Sequence, residues 1–563
     1  MKYGPTLGIS REIHEMKYRG DGESFEEACT RFANSLADDH SHFITLRSIL
    51  LHQRFMGGGR TQAAVGAPRQ VTPFNCFVSN TIEDSMDSIM EAAKEAATTM
   101  RMGGGIGYDF STLRPRGDRI VSLDSRSSGP ISFMGIFDSV CHTISSAGHR
   151  RGAQMGVLRV DHPDIEEFVR AKQNESNLRA FNISVAVTDE FMEAVQNGSE
   201  FALRFNGAVY KTINARNLWE EIMRSTWDWA EPGVLFIDRI NEMNNLWYCE
   251  MIAATNPCAE QPLPPYGACL LGSFNLAKYI IDQEGQHAFD VAQLEADIPV
   301  VVRAMDRIHD IAIFPLEGQR KESADKRRMG LGVTGVANAG EILGYPYGSD
   351  IFLQWFESVM KIIRDGVYNA SVDLAKEKGP FPLFSKDFLK SKFVATLPEK
   401  LRKRIAKYGI RNSHLLSIAP TGTISLSADN ISSGIEPVFS HYYDRTIQTF
   451  EGPRVERVED YAYRLYGVEG KTASECTPKE HLAVLALAQR YSDSAVSKTI
   501  NCDPSMPWQD FKDIYFDAWL LQCKGVTTFN SGGKRFGILN KAVEEESAEA
   551  CYIDSATGKK TCE

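Results

Sequence analysis

A carboxamide, a thiol and a carboxylate lie close together in the stretch Asn256-Pro-Cys258-Ala-Glu260. Each of the three is two positions from the next, a spacing that points their side chains to the same side of an extended segment. A carboxylate can act as a general base, and an amide can hold a polar substrate beside a reactive thiol. The stretch is therefore the first candidate for an active site.

The chain that follows is a loop stiffened by proline. Four prolines exclude a helix here, namely Pro257, Pro262, Pro264 and Pro265. A second cysteine, Cys269, comes eleven residues after Cys258. A rigid loop suits a reactive group that must stay in place. The alternative is a proline-rich turn with two incidental buried cysteines, and the stretch by itself leaves both interpretations open.

Length and composition limit the fold class and the partners that this protein can have. The chain has 563 residues, of which 43% are hydrophobic and 24% charged, as in globular proteins with a sizeable core. The length suggests about two to four domains, or one large α/β barrel that takes up most of the chain. The net charge of −11 argues against a nucleic-acid polymer as partner, whereas small phosphorylated ligands stay possible.

Cysteine usage and hydropathy predict a cytoplasmic location. The chain begins without a signal peptide, and no run of ~18 apolar residues predicts a membrane span. The eleven cysteines are scattered, odd in number and without a paired zinc-binding spacing. We therefore expect a reducing compartment and thiols that are used chemically.

Three regions can be distinguished along the chain. Residues 1–60 read as a small helical region, in which Ser24 and Glu27 form a capping pattern. Residues 61–540 are the second region; between 181 and 540, helices alternate with short apolar strands such as 181–187, 234–237 and 415–418, which favours an α/β layered or barrel domain. Residues 541–563 are acidic and polar without periodicity, which predicts a flexible tail.

Two glycine- or methionine-rich segments have structural interpretations. The run Gly103–Gly107 follows a helix instead of a strand, so we reject a dinucleotide site and expect close backbone approach to a ligand or a strand. The preceding helix carries a stripe of methionine, isoleucine and alanine from Met86 to Met100. Such a stripe predicts either core or a subunit interface, with equal weight.

Two further loops could bind phosphate. Residues 145–154 combine glycine with Arg150 and Arg151, and they fit either nucleotide contacts or a solvated basic turn. Residues 419–425 follow the predicted strand at 415–418 with small and hydroxyl-bearing side chains. Backbone N–H groups at such a turn can receive an anion, and the alternative is a plain helix cap.

Together these motifs resemble the catalytic subunit of a ribonucleotide reductase. The similarity runs from about residue 55 to 540 and keeps the family's motif order. It is strongest toward the adenosylcobalamin-dependent (class II) branch in Cys76-Phe-Val, Glu83-Asp-Ser-Met, Gly103-Gly-Gly, Arg150-Arg-Gly-Ala, the stretch 181–191 and Lys524-Gly-Val-Thr-Thr. The resemblance implies a ten-stranded α/β barrel with a central finger loop, preceded by the small helical N-terminal region.

The resemblance also implies a role for each residue of the opening stretch. Cys258 would carry the thiyl radical that takes the 3′ hydrogen of the ribose. Glu260 would be the general base on the 3′ hydroxyl, and Asn256 would hold the sugar hydroxyls. Cys76 and Cys269 would deliver two electrons and close a disulfide as the 2′ hydroxyl leaves as water. A buried site would protect the radical from solvent.

Further sites are implied in the same way. Seven residues would bind the substrate phosphates: Ala419, Pro420, Thr421, Gly422, Thr423, Ile424 and Ser425. Asp84, Ser85 and Arg114 would contact a (deoxy)nucleoside triphosphate effector at a homodimer interface. Gly148, Arg150, Arg151 and Gln154 would relay effector identity to substrate choice.

Cys551 and Cys562 of the tail would pass electrons from a thioredoxin- or glutaredoxin-type reductant, although their spacing is wider than the family's usual pair. The N-terminal region is too short for the family's ATP-binding activity domain, so we expect no overall on/off control by ATP and dATP.

The classes of ribonucleotide reductase differ in how the radical is generated, and each leaves a different sequence motif. The metalloprotein-dependent class needs a tyrosine pair near the C-terminus, where this chain reads Gly525-Val-Thr-Thr-Phe-Asn530; its Tyr442-Tyr443 pair lies elsewhere. The glycyl-radical motif is not matched either. The prediction is an adenosylcobalamin-dependent reductase of ribonucleotides, with diphosphates favoured, serving DNA synthesis. The alternatives are a large subunit that needs a separate radical-generating metalloprotein, and a non-catalytic nucleotide-binding relative.

Overall fold

A computed structural model describes residues 3–69, 71–145, 153–173, 177–449 and 452–534, together with strand segments at 540–541, 551–553 and 560–562. Within these residues the protein is a mixed α/β structure built on one large sheet. No helix of the described part is both long and apolar enough to span a membrane.

Helices surround the sheet and connect its strands. They are α1 (Gly8–Tyr18), α2 (Phe25–Leu36), α3 (His40–Leu51), α4 (Gly59–Ala64), α5 (Met86–Arg101), α6 (Pro130–Ser145), α7 (Ile165–Arg170), α8 (Asp189–Asn197), α9 (Ala215–Trp229), α10 (Ile237–Glu242), α11 (Val291–Ile311), α12 (Glu317–Lys326), α13 (Val336–Ile342), α14 (Asp350–Lys378), α15 (Lys392–Ala395), α16 (Glu399–Tyr408), α17 (Gly422–Leu426), α18 (Tyr461–Tyr466), α19 (Pro478–Arg490) and α20 (Trp508–Leu520). At the start of α2, Ser24 Oγ accepts from Glu27 N and Glu27 Oε2 accepts from Ser24 N, a reciprocal cap.

The strands are short and mostly buried. They are β1 (Phe55–Gly57), β2 (Cys76–Val78), β3 (Gly105–Asp109), β4 (Arg119–Ile120), β5 (Ser125–Arg126), β6 (Gln154–Arg159), β7 (Phe181–Val187), β8 (Glu200–Phe205), β9 (Ala208–Asn214), β10 (Gly233–Phe236), β11 (Ala254–Thr255), β12 (Pro262–Leu263), β13 (Ala268–Asn275), β14 (Ile280–Gln283), β15 (Gln286–Phe289), β16 (Met329–Thr334), β17 (Tyr442–Thr449), β18 (Gly452–Glu459), β19 (Thr499–Cys502), β20 (Gly525–Asn530), β21 (Asn540–Lys541), β22 (Cys551–Ile553) and β23 (Lys560–Cys562).

The large sheet has ten strands, of which nine form two internally parallel halves and β1 pairs antiparallel with β13 at one edge. Its order is β1-β13-β2-β3-β6-β7-β10-β20-β19, and β16 also pairs with β13. In the first half, β2, β3, β6, β7 and β10 run parallel. The second half contains β13 with β16 and β19 with β20 as parallel pairs. The halves meet antiparallel, where β13 pairs with β2 and β10 pairs with β20.

The predicted strand at 415–418 is reduced to isolated bridges. Leu416 bridges to Leu331 of β16, and Ile418 bridges to Val496, both in parallel orientation. The segment therefore lies between β16 and the residues before β19. The prediction of a regular strand at 415–418 was wrong, because the pairing of this segment is limited to two isolated bridges.

The sheet separates two hydrophobic clusters. Phe77 of β2 and Leu270 of β13 belong to the large outer core beneath the helices. Their neighbours Cys76 and Cys269 point to the opposite face, into a small inner cluster with Ala254 and other residues of the finger segment. The period-2 alternation of strand side chains thus assigns both cysteines to the inner face.

Candidate active site

The opening stretch forms the tip of a two-stranded hairpin on the inner face of the sheet, which we call the finger hairpin (residues 254–263). Ala254 pairs with Leu263 and Thr255 pairs with Pro262. Between them the chain turns sharply, because Ala259 N donates to Asn256 O over 3.0 Å. Ala259 has a positive φ of 64°, a conformation in which a Cβ is strained.

This turn corrects the expectation of an extended segment. The three functional side chains do not share one environment: Asn256 and Glu260 are each 1% exposed, whereas Cys258 is exposed. The physical reason is that the chain reverses direction at Ala259, so two-residue spacing no longer implies a common side. Cys258 therefore lies at the tip and the two polar side chains lie below it.

Glycines of β3 let the finger hairpin approach the first half of the sheet. A Cβ at Gly107 would stand 1.8 Å from Thr255 O, and one at Gly105 would stand 3.1 Å from Pro257 Cγ. Asn182 Nδ2 of β7 adds a hydrogen bond of 2.9 Å to Pro257 O. The expected role of the Gly103–Gly107 run, close approach of backbone, is confirmed for Gly105 and Gly107.

Two residues outside the named strands, on the side of the second half, hold the hairpin from the other side. The carbonyl oxygen of Glu260 accepts hydrogen bonds from Ser417 Oγ at 2.9 Å and Ala495 N at 3.0 Å. Neither residue was singled out from the sequence. No local pattern indicates them, because their partner is a backbone atom far away in the chain.

Cys76 and Cys269 face each other on adjacent strands. They are direct partners in the antiparallel register of β2 and β13, and both are buried thiols. Opposed residues of such strands have Cα atoms about 4.5–5.5 Å apart, within the ~4.4–6.8 Å that a disulfide needs. The structure thus brings together two cysteines that can be oxidised to a disulfide with little backbone movement.

Asn256, Cys76 and Glu260 form one buried polar group. Asn256 Nδ2 donates to Cys76 Sγ at 3.0 Å, and Cys76 Sγ lies 3.7 Å from Glu260 Oε1. Burial raises the pKa of Cys76 well above its usual range, and the charges of Glu260, Cys258 and Cys269 raise it further. Cys76 is therefore a protonated thiol at neutral pH, able to act as a proton donor.

Glu260 has the properties of a general base. Burial raises its pKa to about 7, against a smaller lowering by hydrogen bonds from Asn256 and Cys76. Its Oε2 is buried and has no hydrogen-bond partner among the described residues. A base works best when its pKa is near the working pH, and an unsatisfied buried oxygen is costly unless a ligand satisfies it. A substrate hydroxyl would supply the missing donor.

The turn at 419–425 lies beside the finger hairpin. Ala419 and Ala259 both pack on the inner cluster, and α17 begins at Gly422 after Thr421 with φ 53°. Thr334 Oγ1 is 2.9 Å from Thr421 Oγ1 and 3.1 Å from Ser425 Oγ, which fixes the turn. Ser425 N is the first N–H that bonds back within the helix, so the preceding N–H groups are available to an anion.

Of the seven residues expected to bind or relay an effector, the structure describes four. Asp84 Oδ2 and Arg114 Nε form an ion pair at 2.6 Å, and Ser85 caps α5 by accepting from Ser88 N. Gln154 begins β6 and bonds through its side chain to Tyr108 and the Phe137 carbonyl. Gly148, Arg150 and Arg151 lie outside the described residues.

The methionine-rich stripe of α5 is shared between core and surface. Ile89, Ala93 and Met100 are buried, whereas Met86 and Met90 are 56% and 49% exposed. The core interpretation is confirmed for the buried residues of the stripe, and the subunit-interface interpretation stays a prediction.

The tail cysteines occupy opposed backbone positions. Cys551 of β22 and Cys562 of β23 are direct partners in an antiparallel pair. Their wide separation in the sequence is thus compatible with close approach of the two backbones.

One set of buried charges was missed by the sequence reasoning. Arg328 Nη2 bonds both carboxylate oxygens of Glu250, at 2.7 and 2.8 Å, and Lys326 Nζ bonds Glu250 and Glu322. The doubled arginine 327–328 directly before an apolar strand was the available signal, because arginine is rarely fully buried without a partner.

Comparison with known proteins agrees with this geometry. A family model described as the barrel domain of ribonucleotide reductase matches residues 74–465 and 452–529. A protein of Mycobacterium tuberculosis named vitamin B12-dependent ribonucleoside-diphosphate reductase is 37% identical over 498 residues, which are 83% of this chain and 69% of that protein. A relative with the same name in Thermoplasma acidophilum is 36% identical over 84% of this chain and 63% of its own length.

A more distant relative carries a different name. The ribonucleoside-diphosphate reductase large subunit of Caenorhabditis elegans is 28% identical over 66% of this chain and 52% of its own length. The chain thus spans about two thirds of the length of the Mycobacterium tuberculosis and Thermoplasma acidophilum relatives, and about half of the length of the Caenorhabditis elegans relative. With the barrel model matching most of its length and the thiol, amide and carboxylate groups assembled on one face of the sheet, this chain belongs to the ribonucleotide reductase family.

Proposed function

We propose that the protein is an adenosylcobalamin-dependent ribonucleotide reductase that converts ribonucleoside diphosphates to 2′-deoxyribonucleoside diphosphates for DNA synthesis. The observation that carries this proposal is the inner-face group of Asn256, Cys76 and Glu260, with an unsatisfied carboxylate oxygen beneath an exposed Cys258. Diphosphate specificity and the cobalamin class rest on the names of the relatives at 36–37% identity.

We infer that the ten-stranded sheet closes into a barrel around the finger hairpin. The bridges from Leu331 to Leu416 and from Ile418 to Val496 support closure, because they connect β16 toward the segment that leads into β19. In a closed barrel the inner cluster would be the interior, filled by the hairpin. The boundaries 1–60, 61–540 and 541–563 remain our division of the chain.

The residues of the finger hairpin fit the cofactor. Cys258 is exposed while Asn256 and Glu260 are buried, so Cys258 can meet a group that arrives from outside the protein core. When bound, adenosylcobalamin supplies the radical chemistry that converts the Cys258 thiol into a thiyl radical. The chain's own part is to hold Cys258 at the tip and to exclude water from the polar groups below it.

Each of the described side chains has a separate role in the reaction on the ribose. Cys258 takes the 3′ hydrogen, and Glu260, whose pKa of about 7 suits proton transfer at neutral pH, accepts the proton of the 3′ hydroxyl. Asn256 holds a sugar hydroxyl. Cys76, protonated because burial raises its pKa, gives its proton to the 2′ hydroxyl, which leaves as water. Cys76 and Cys269 then lose two electrons together and close a disulfide, while the ribose is reduced.

Binding sites around this group follow the same proposal. The turn 419–425 binds the substrate phosphates through the N–H groups before Ser425. Asp84, Ser85 and Arg114 bind a nucleoside triphosphate effector, with Gly148, Arg150, Arg151 and Gln154 relaying it, at a homodimer interface that includes exposed Met86 and Met90. Cys551 and Cys562, opposed in their strand pair, carry electrons from a thioredoxin- or glutaredoxin-type reductant.

The deciding experiment is an assay of the dialysed single polypeptide with CDP and dithiothreitol, with and without adenosylcobalamin. We expect dCDP only when the cofactor is present and no second subunit is needed. Activity that ignores cobalamin and requires a metalloprotein subunit would assign the chain to the large-subunit class instead. CDP and CTP measured side by side test the preference for diphosphates.

A further inference from the structure

Three strands place a buried arginine in line with the redox cysteines. Cys269 of β13 is the register partner of Cys76 of β2. On its other side, Leu270 pairs in parallel with Met329, so the position beside Cys269 is that of Arg328, directly before β16. Neighbouring strands are about 4.8 Å apart. Cys269 thus lies between Cys76 and Arg328.

The side chain of Arg328 belongs to the inner face. Met329 and Leu331 of β16 pack in the outer core, whereas a Cβ at Gly330 would meet Gln261 of the finger hairpin. Alternation along the strand therefore assigns Arg328 and Gly330 to the face that also carries Cys76 and Cys269. The row of three follows from the sheet register, extended by one residue from Met329 to Arg328.

One N–H of Arg328 has no assigned acceptor. The residue is 0% exposed, its Nη2 bonds both oxygens of Glu250, and its Nη1 lies 3.5 Å from His414 Nε2. Nε is buried without a hydrogen-bond partner among the described residues. An unsatisfied buried donor on a charged group is costly, and it would be satisfied by an anion that forms transiently nearby.

We propose that Arg328 is a positioning residue for the redox step, which stabilises the Cys269 thiolate so that reduction of the Cys76–Cys269 disulfide proceeds by attack at Cys76. A thiolate of the dithiol reductant attacks Cys76 Sγ, a bond forms between those sulfurs, and the Cys76–Cys269 bond breaks. Its electron pair leaves on Cys269 Sγ, which later takes a proton. The second thiol of the reductant then displaces Cys76, and the reductant leaves as a disulfide.

Electrostatics around Cys269 support this direction of attack. Burial raises the pKa of Cys269, the charge of Arg328 is the largest influence that lowers it, and Glu260, Asp493 and Glu322 raise it. For Cys76, the nearby groups Glu260, Cys258 and Cys269 all raise the pKa, and the hydrogen bond from Asn256, the smallest influence, lowers it. The sulfur whose thiolate is better stabilised leaves faster, because exchange rates depend on the pKa of the leaving thiol.

The inference rests on the proposed function, since it needs the disulfide that turnover creates. The first experiment uses the wild-type full chain, oxidised by turnover with CDP and adenosylcobalamin in the absence of reductant. The oxidised protein is mixed briefly with 2-mercaptoethanol, quenched with N-ethylmaleimide and mapped by mass spectrometry. We expect the mixed disulfide on Cys76 and the maleimide on Cys269; an equal or reversed distribution overturns the inference.

The second experiment removes the positive charge of Arg328. Arg328→Gln leaves Glu250 buried and unpaired, which is strongly destabilising, so the double variant Arg328→Gln with Glu250→Gln is used beside Arg328→Lys. We expect the double variant to be reduced by dithiothreitol about tenfold more slowly or worse and to lose the preference for Cys76. Arg328→Lys, which keeps the charge, should retain that preference.

Arg327→Gln is the matched control. It breaks the neighbouring buried pair between Arg327 Nε and Asp306 Oδ1 at 2.8 Å, so it tests whether loss of a buried ion pair alone changes the reduction. Its preference for Cys76 should be that of the wild type; the same loss as in the double variant overturns the inference. If no Cys76–Cys269 disulfide forms in the wild type, the redox pair of the proposed function fails as well, whereas a disulfide reduced without preference refutes only the role of Arg328.

Discussion

Asn256 donates a hydrogen bond to the sulfur of Cys76 over 3.0 Å, although 180 positions separate the two residues in the chain. The same side chain accepts from Gln261 N at 2.9 Å through Oδ1. One amide thus orients the thiol of β2 and closes the turn of the finger hairpin. The proposed role of Asn256 as a holder of substrate is thus accompanied by a role in building the site.

Replacement of this amide should affect both roles. Asn256→Ala leaves Gln261 N without its acceptor and Cys76 without its donor, so we expect a loss of about 1–3 kcal/mol in the free energy of unfolding and a large fall in kcat. Urea denaturation and CDP turnover measure the two effects. Asn217→Ala, at an exposed position of α9, is the control that should change neither, and an Asn256→Ala enzyme with normal kcat contradicts the assignment.

The rate of turnover should follow the ionisation of Glu260. Burial raises the pKa of this carboxyl to about 7, and only the ionised form can accept a proton. We therefore expect kcat/KM for CDP to rise with pH through a midpoint near 7 in the wild type. Glu260→Gln should be nearly inactive and lack this rise. A wild-type profile that is flat between pH 6 and 8 would argue against Glu260 as the base.

The same carboxyl should make the protein less stable at high pH. Its folded-state pKa of about 7 lies above the ordinary value of 4.5, so the folded state binds the proton more tightly than the unfolded state. The resulting stabilisation is present at acid pH and is lost as pH rises through 7. Glu260→Gln should hence gain up to roughly 3 kcal/mol over the wild type at pH 8 and little at pH 4.5.

Urea denaturation at both pH values measures this difference. Glu27→Gln is the control of opposite sign, because hydrogen bonds from Ser24 lower the pKa of Glu27. A Glu260→Gln variant that is less stable than the wild type at pH 8 would show that the carboxylate is compensated in the folded protein.

Loss of the exposed thiol should abolish turnover without affecting the fold. Cys258 is exposed at the hairpin tip, so Cys258→Ala removes little buried surface, and the free energy of unfolding should stay within about 0.5 kcal/mol. Activity should fall to background, because no other described thiol occupies this position. Cys249→Ala, the other exposed cysteine of the described residues, should keep wild-type turnover. Residual activity in Cys258→Ala would refute the radical role.

The approach of the hairpin to β3 should depend on one missing methyl group. Gly107→Ala would put a Cβ 1.8 Å from Thr255 O, which backbone atoms cannot accommodate without displacing the hairpin. We expect a loss of about 3 kcal/mol together with a fall in kcat. Gly135→Ala in α6, where no atom lies within 4 Å of the added Cβ, should be neutral or slightly stabilising. Comparable stability of both variants would contradict the packing argument.

Sequence reasoning found the chemistry of the site more readily than its shape. The residue types at 256, 258 and 260 and the motif order identified the group, and the β7 strand at 181–187 was predicted from its apolar run. The reversal at Ala259 was missed, because it depends on hydrogen bonds between Asn256 and Gln261 instead of on intrinsic propensity.

Contacts between residues far apart in the chain could not be predicted from the sequence either. Glu250 and Arg328 are ordinary charged residues until the fold buries them together, and no local spacing connects them. Ser417 was placed in a strand, but its hydrogen bond to the Glu260 carbonyl follows from how two distant segments meet. Such contacts are set by tertiary packing, on which a single sequence carries no direct signal.

The finger hairpin is attached to both halves of the sheet. Asn182 of the first half bonds Pro257 O, whereas Ser417 and Ala495, on the side of the second half, bond Glu260 O. A small rotation between the halves would therefore displace the two residues between these anchors, Cys258 and Ala259. Substitutions far from the site that change the angle between the halves would shift the sulfur of Cys258, so turnover rate would report the relative orientation of the two halves.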